Sequence, residues 1–230
     1  MAKPSKLPPP PANLLSDLPD RLAAPLLAGA IPRHLPAGEV LFLAGDPGDG
    51  FYRLDDGLLK VTIASSAGGE RILAILGPGA VVGDLTILDG KSRSASVSAL
   101  RDCRLQFVSR HVFETFADRN PEIYRYFAEM LAARLRDTDE IVAAESFLPL
   151  KGRVARALLD LAEAFGHDVG QARIVIRQKV SQGDLAAMAG IARENVSRIM
   201  NEWMRMKVIT RLSGYYCLED AAKLQSEIDL

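Results

Sequence analysis

The stretch SQGDLAAMAGIARENVSRIMNEWMRMKVITRLSGYYCL, residues 181–218, decides how the C-terminal part of the chain folds. Ser181 is a good helix N-cap, because its hydroxyl accepts from an otherwise orphaned first-turn amide. A helix is expected from there through Met188. Gly190 breaks it, and a second helix should run from Ala192 to about Lys207. Leu185, Met188, Val196 and Ile199 are the apolar residues that fix the angle between the two. Residues 208–212 and 215–218 then read as strands around Ser213-Gly214, a pair suited to a tight hairpin turn. Two helices joined by a glycine-containing turn make a helix-turn-helix, and the hairpin makes it winged.

The second helix carries the chemistry. Glu194, Ser197 and Arg198 lie one, four and five positions after Arg193, so the four spread over about 140° of the helix surface, one broad face. A guanidinium fork matches the two acceptors on a guanine edge, and a carboxylate can accept from a cytosine amino group. From Gly170 to Arg211 there are eight basic and three acidic residues, although the whole chain has a net charge of −1. A local basic face of this kind suits phosphate contacts. Working upstream, residues 152–165 form an amphipathic helix and 173–177 a strand, so residues 150–230 are expected to be one winged helix-turn-helix domain.

Before it, Ile123, Phe127, Met130, Leu131, Leu135, Thr138 and Val142 recur at helical spacing, and no glycine or proline intervenes until Pro149. Asn120-Pro121 fits an N-cap with proline at the first helical position. A helix over 121–147, assigned with its exit to a 121–149 segment, would be about 40 Å long. Its apolar stripe needs a partner, either the preceding domain or a second copy of the helix. The second copy is the preferred reading and predicts a two-fold homodimer.

Residues 36–109 have a different texture. Short apolar runs at 40–44, 51–54, 58–64, 71–76, 96–99 and 103–109 alternate with glycines, which predicts a small antiparallel barrel or jelly roll. One stretch there is chemically distinctive: Gly83-Asp84-Leu85, then Arg93-Ser94. A glycine lets the backbone approach a ligand, and a short helix after it offers amides to an anion. Asp84 can accept from ribose hydroxyls, while Arg93 offers a fork to a phosphate and Ser94 a hydroxyl.

Residues 181–211 closely resemble the DNA-binding domain of the catabolite activator (cyclic-AMP receptor) and fumarate–nitrate regulator superfamily. The resemblance implies Arg193 and Arg198 on guanines, Glu194 on a cytosine, Ser197 beside them, and Ser181 and Gln182 at phosphate-contacting positions. It also implies a palindromic DNA site, with RNA polymerase as a protein partner. Gly83-Asp84-Leu85 with Arg93-Ser94 resembles the phosphate-binding cassette of cyclic-nucleotide-binding domains, with aspartate in place of the usual glutamate. Thr138 and Asp139 match a Thr-Ser pair of the family, of which the first contacts the adenine amino group and the second reaches the other subunit's pocket.

The fold class is therefore expected to be α+β: a cyclic-nucleotide-binding-like jelly roll over 14–120, a long dimerisation helix, and a winged helix-turn-helix. Cyclic AMP is the favoured effector, with cyclic GMP next. The alternative is the same scaffold with a degenerate pocket that senses another signal, such as haem or redox state, or none.

Composition narrows the remaining classes. Hydrophobic residues are 48% and charged residues 25%, which is ordinary for a globular protein. No apolar run reaches the roughly 20 residues that span a bilayer. Residues 1–13 are proline-rich and read as a flexible leader, and a cytoplasmic location is expected. Two cysteines, Cys103 and Cys217, exclude a four-cysteine cluster within one chain. His34, His111 and His167 are isolated, and no nucleophile–base pairing is visible, so the chain is not expected to be an enzyme.

Overall fold

Alternating apolar positions between glycine turns fold residues 31–109 into two antiparallel sheets. The computed structural model describes residues 18–64, 69–170 and 172–229; the expected leader lies outside them. One sheet has the order β1 (Ile31–Leu35), β8 (Cys103–Ser109), β3 (Gly50–Asp56), β6 (Val81–Val82). The other has the order β2 (Val40–Phe42), β7 (Ser96–Ala99), β4 (Leu59–Ala64), β5 (Glu70–Leu76). Leu35, Leu54, Val82 and Leu105 of the first pack with Leu41, Leu59, Leu76 and Val97 of the second. This is the predicted jelly roll.

Helices close one end of it. α1 (Asp20–Ala28), the short α2 (Leu85–Asp89), α3 (Arg110–Arg119) and the start of α4 (Ile123–Phe147) surround a second core. Phe51 and Phe113 meet Phe127 edge-on, at 6.2 and 5.1 Å between ring centroids. Ile123, Phe127 and Met130 are fully buried there. The apolar stripe of α4 is therefore divided: its first turns are covered by the chain's own core, while Leu135 and Val142 are 62% and 55% exposed.

Some expected boundaries are corrected. Asn120 does not cap the long helix. Its amide donates to Phe116 O and Ala117 O, and its side chain to Phe116 O, so it closes α3. Pro121 lies in the following turn and α4 begins at Ile123. β2 ends at Phe42 because the Leu43 amide donates to Asp46 Oδ2 and the chain turns back. β1 and α3 had no sequence-based counterpart.

The described residues form two compact units that divide between Asp137 and Thr138. In the second, α5 (Leu150–Phe165) precedes β9 (Gly166–Asp168), β10 (Ile174–Ile176), α6 (Gln182–Ala189), α7 (Arg193–Arg205), β11 (Ile209–Leu212), β12 (Tyr215–Leu218) and α8 (Ala221–Ser226). The sheet order is β11-β12-β10-β9. Ser181 caps α6 as expected, and the cap is reciprocal: its Oγ accepts from the Asp184 amide while Asp184 accepts from the Ser181 amide. Gly190 ends the helix with φ of 64°, a left-handed conformation that glycine adopts without steric cost. Leu185, Val196, Ile199 and Trp203 are buried between α6 and α7. Ser213 and Gly214 both have positive φ at the hairpin turn, as a two-residue type I′ connection requires.

Candidate anion pocket and nucleic-acid interface

Arg93 lies in the loop between α2 and β7, and its backbone is pinned to the 43–46 turn by Arg93 N to Asp46 O and Gly45 N to Arg93 O. Its side chain is 3% exposed. Nη1 donates to Gly50 O at 2.7 Å, Gly83 O at 2.8 Å and Thr86 Oγ1 at 3.1 Å. The guanidinium carbon stands 4.4 Å from the Phe42 ring centroid, a favourable cation–π contact. The Nη2 side is different. Its ion-pair contact is Asp49 at 3.9 Å, and Asp49 is itself 83% exposed. Nε is buried and has no hydrogen-bond partner. Burial holds the guanidinium below its ordinary pKa. A buried cation with one edge saturated and an unpaired donor on the other has the chemistry to take an anion.

Gly83 must be a glycine here. Its φ is +81°, and a Cβ would stand 2.1 Å from Arg93 Nη1. Asp84 is 2% exposed. Both its oxygens accept from Arg134 Nη1 of α4 at 2.9 Å, while Arg134 Nη2 donates to Val81 O at 2.7 Å. Arg134 was missed in the sequence because nothing local marks one arginine of a polar helix as the partner of a carboxylate 50 positions away. Arg110 was missed for the same reason. It donates to Thr86 O and Ile87 O and so holds the last carbonyls of α2. Leu85 and Ser94 are exposed. Thr138 and Asp139 are exposed positions of α4 in the second unit.

On α7, Arg193, Glu194 and Arg198 are exposed and Ser197 is half-buried. Arg198 Nη2 donates to Asn195 Oδ1 at 3.1 Å, one turn back; Asn195 had not been singled out. At the start of α6 the Ser181 hydroxyl is committed to the cap, since it also donates to Asp184 Oδ2 at 2.7 Å. Gln182 is half-buried beside it.

Residues 32–120 match the cyclic nucleotide-binding domain family, and residues 152–227 match the Crp-like helix-turn-helix domain. A CRP-like cAMP-activated global transcriptional regulator of Mycobacterium tuberculosis is 31% identical over 181 residues, covering 76% of this chain and 80% of the relative. The chain belongs to the CRP/FNR family of transcription regulators. The cyclic AMP receptor protein of Thermus thermophilus is 33% identical over 193 residues, covering 84% of this chain and 86% of that one. A solved CRP/FNR-family transcriptional regulator from the same organism superposes with a TM-score of 0.72 at 26% identity, covering 87% of this chain and 99% of the other. Residues 83–94 lie within the first matched region and α7 within the second. No described helix is long and apolar enough to cross a membrane.

Proposed function

We propose that this CRP/FNR-family chain is a cytoplasmic homodimer whose DNA binding is gated by a cyclic nucleotide. The carrying observation is the buried Arg93 guanidinium with its unpartnered Nε and distant carboxylate. That donor set fits one phosphodiester anion. Gly83 gives the close backbone approach, Ser94 adds a hydroxyl, and Asp84, steadied by Arg134, retains lone pairs for ribose hydroxyls. Cyclic AMP is favoured over cyclic GMP, because Thr138 can share a hydrogen bond with an adenine amino group. The names of the M. tuberculosis and T. thermophilus relatives point the same way.

The exposed half of the α4 stripe, Leu135 and Val142, would meet its two-fold mate. Effector at this helix would then bias the spacing of the two recognition helices. Arg193 and Arg198 would read guanines and Glu194 a cytosine, with Ser181 and Gln182 near phosphates and Ser197 beside the reading pair. The site is a palindrome with half-sites about one helical turn apart, and RNA polymerase is the expected protein partner. A haem or redox sensor gains no support from Cys103. Its thiol donates to Leu58 O and Arg101 O, and burial pushes its pKa up, so it is held as a neutral thiol.

Calorimetric titration with cyclic AMP and cyclic GMP tests the reading. Native protein should bind cyclic AMP more tightly, Arg93→Ala should lose the nucleotide, and Asp139→Ser should change the preference little. A native preference for cyclic GMP that reverses in Asp139→Ser overturns the choice of base. Failure of both nucleotides to bind overturns the effector class.

A further inference from the structure

The recognition helix carries a carboxylate of its own that threatens its reading arginine. Arg198 and Glu202 are four residues apart on α7, so they stand one turn above the other on the same side of the helix. An arginine and a glutamate at that spacing pair readily on a helix surface. A guanidinium paired in that way is no longer a free fork for a guanine edge. In this structure the two do not pair. Arg198 instead donates to the neutral amide oxygen of Asn195 at 3.1 Å, a partner that yields to a better acceptor.

The reason lies on another helix. Lys151, in the first turn of α5 and 51 positions away, places Nζ 2.5 Å from Glu202 Oε1. The two side chains are 40% and 35% exposed. The pairing holds Glu202 below the usual carboxylate range, through the hydrogen bond from Lys151 first, then the Lys151 charge and, behind it, the charges of Arg205 and Arg198.

We infer that Lys151 is a positioning residue for DNA recognition: by drawing Glu202 onto itself it leaves Arg198 unpaired with a carboxylate and free to engage a base. This rests on the proposal that Arg198 reads DNA. Lys151 does so without contacting the DNA itself. Its removal would release Glu202 to Arg198 and leave a bare carboxylate beside the incoming phosphates.

The test is fluorescence anisotropy on two duplexes. One is a palindromic site selected by the native protein from a random pool with cyclic AMP present; the other is its scrambled counterpart. Lys151→Met should weaken the selected site about 3- to 10-fold, the loss of an exposed pair's competition at a base-reading fork, and leave the scrambled duplex within about 2-fold. Glu202→Gln alone should bind like native. The double variant Lys151→Met/Glu202→Gln should recover the selected site, because no carboxylate remains to compete.

Equal losses on both duplexes with a shallower salt dependence would make Lys151 a phosphate contact and overturn the inference. A loss that Glu202→Gln does not rescue overturns it too. Should Lys151→Met melt the domain, as followed by Trp203 fluorescence, the decision passes to Glu202→Ala: native or tighter binding supports the inference, and weaker specific binding overturns it. Arg198→Ala is assayed in parallel. If it leaves specific binding unchanged, the base-reading assignment falls and takes this inference with it. If it behaves as expected while the rescue fails, only the role of Lys151 is lost.

Discussion

Replacing Arg134 with Met removes the cation that faces Asp84 and keeps most of the side chain's apolar stem. Asp84 is 2% exposed, and both its oxygens lie 2.9 Å from Arg134 Nη1. Removing one partner of a buried pair typically costs about 3–5 kcal/mol, because the other charge is left unsolvated. Arg134 is 30% exposed along its side chain, so water can follow it in and the lower end applies. The lost hydrogen bond to Val81 O adds about 1 kcal/mol. The expected destabilisation for Arg134→Met is therefore about 4 kcal/mol.

Asp84→Asn should cost about 1–2 kcal/mol, since an amide oxygen can still accept from Arg134. The diagnostic outcome is the double variant. With no carboxylate left to strand, Arg134→Met/Asp84→Asn should be about 1 kcal/mol more stable than Arg134→Met alone, a second substitution that restores stability. Urea denaturation of effector-free protein, followed by far-UV circular dichroism, measures all four corners of the cycle. A loss below about 1 kcal/mol for Arg134→Met, or simple additivity in the double variant, would refute the claim that this ion pair secures the cassette to α4.

Gly83→Ala should destabilise by about 2–4 kcal/mol, from a left-handed backbone and a Cβ driven into Arg93 Nη1, and should abolish nucleotide binding; a calorimetric titration resembling native would contradict the pocket geometry. Ser181→Ala removes the hydroxyl half of the α6 cap, leaving the backbone amide of residue 181 to Asp184, and should cost about 1 kcal/mol, read from Trp203 fluorescence in urea, with Ser181→Gly costing less. The Lys151–Glu202 pair has a definite pH sign: Glu202 is depressed in the folded state, so its contribution is present above the ordinary carboxylate range and lost as pH falls through the lowered value. Glu202→Gln should flatten that acid limb, and parallel limbs in both proteins would disprove the assignment. Paired Leu135→Asp and Val142→Asp changes should give a monomer by sedimentation velocity; an unchanged dimer would place the interface elsewhere.

The winged helix-turn-helix was legible because its signals are local. A capping serine, a left-handed glycine, apolar residues one helical turn apart and a Ser-Gly hairpin turn each act within a few positions, so order along the chain already implies order in space. The spacing of Arg193, Glu194, Ser197 and Arg198 follows from helix geometry alone, and the structure exposes the three charged residues and leaves Ser197 half-buried. The jelly roll was legible for a similar reason: turn glycines between alternating strands leave little choice of class.

Tertiary structure decided what faces what. The sequence marks Arg93 as a candidate anion receptor, but only strand pairing brings Gly50 O, 43 positions away, onto its Nη1 and leaves Nε bare. Asp84 reads as a free acceptor until α4 packs and delivers Arg134. The stripe on α4 reads as one continuous seam, yet Ile123, Phe127 and Met130 go to the chain's own core, while Leu135, Thr138 and Val142 remain outside. Glu202 and Lys151 show nothing in sequence to join them. Periodicity and caps depend on neighbours along the chain, whereas the partner of a buried charge depends on which distant segments share a volume. That is settled only by packing.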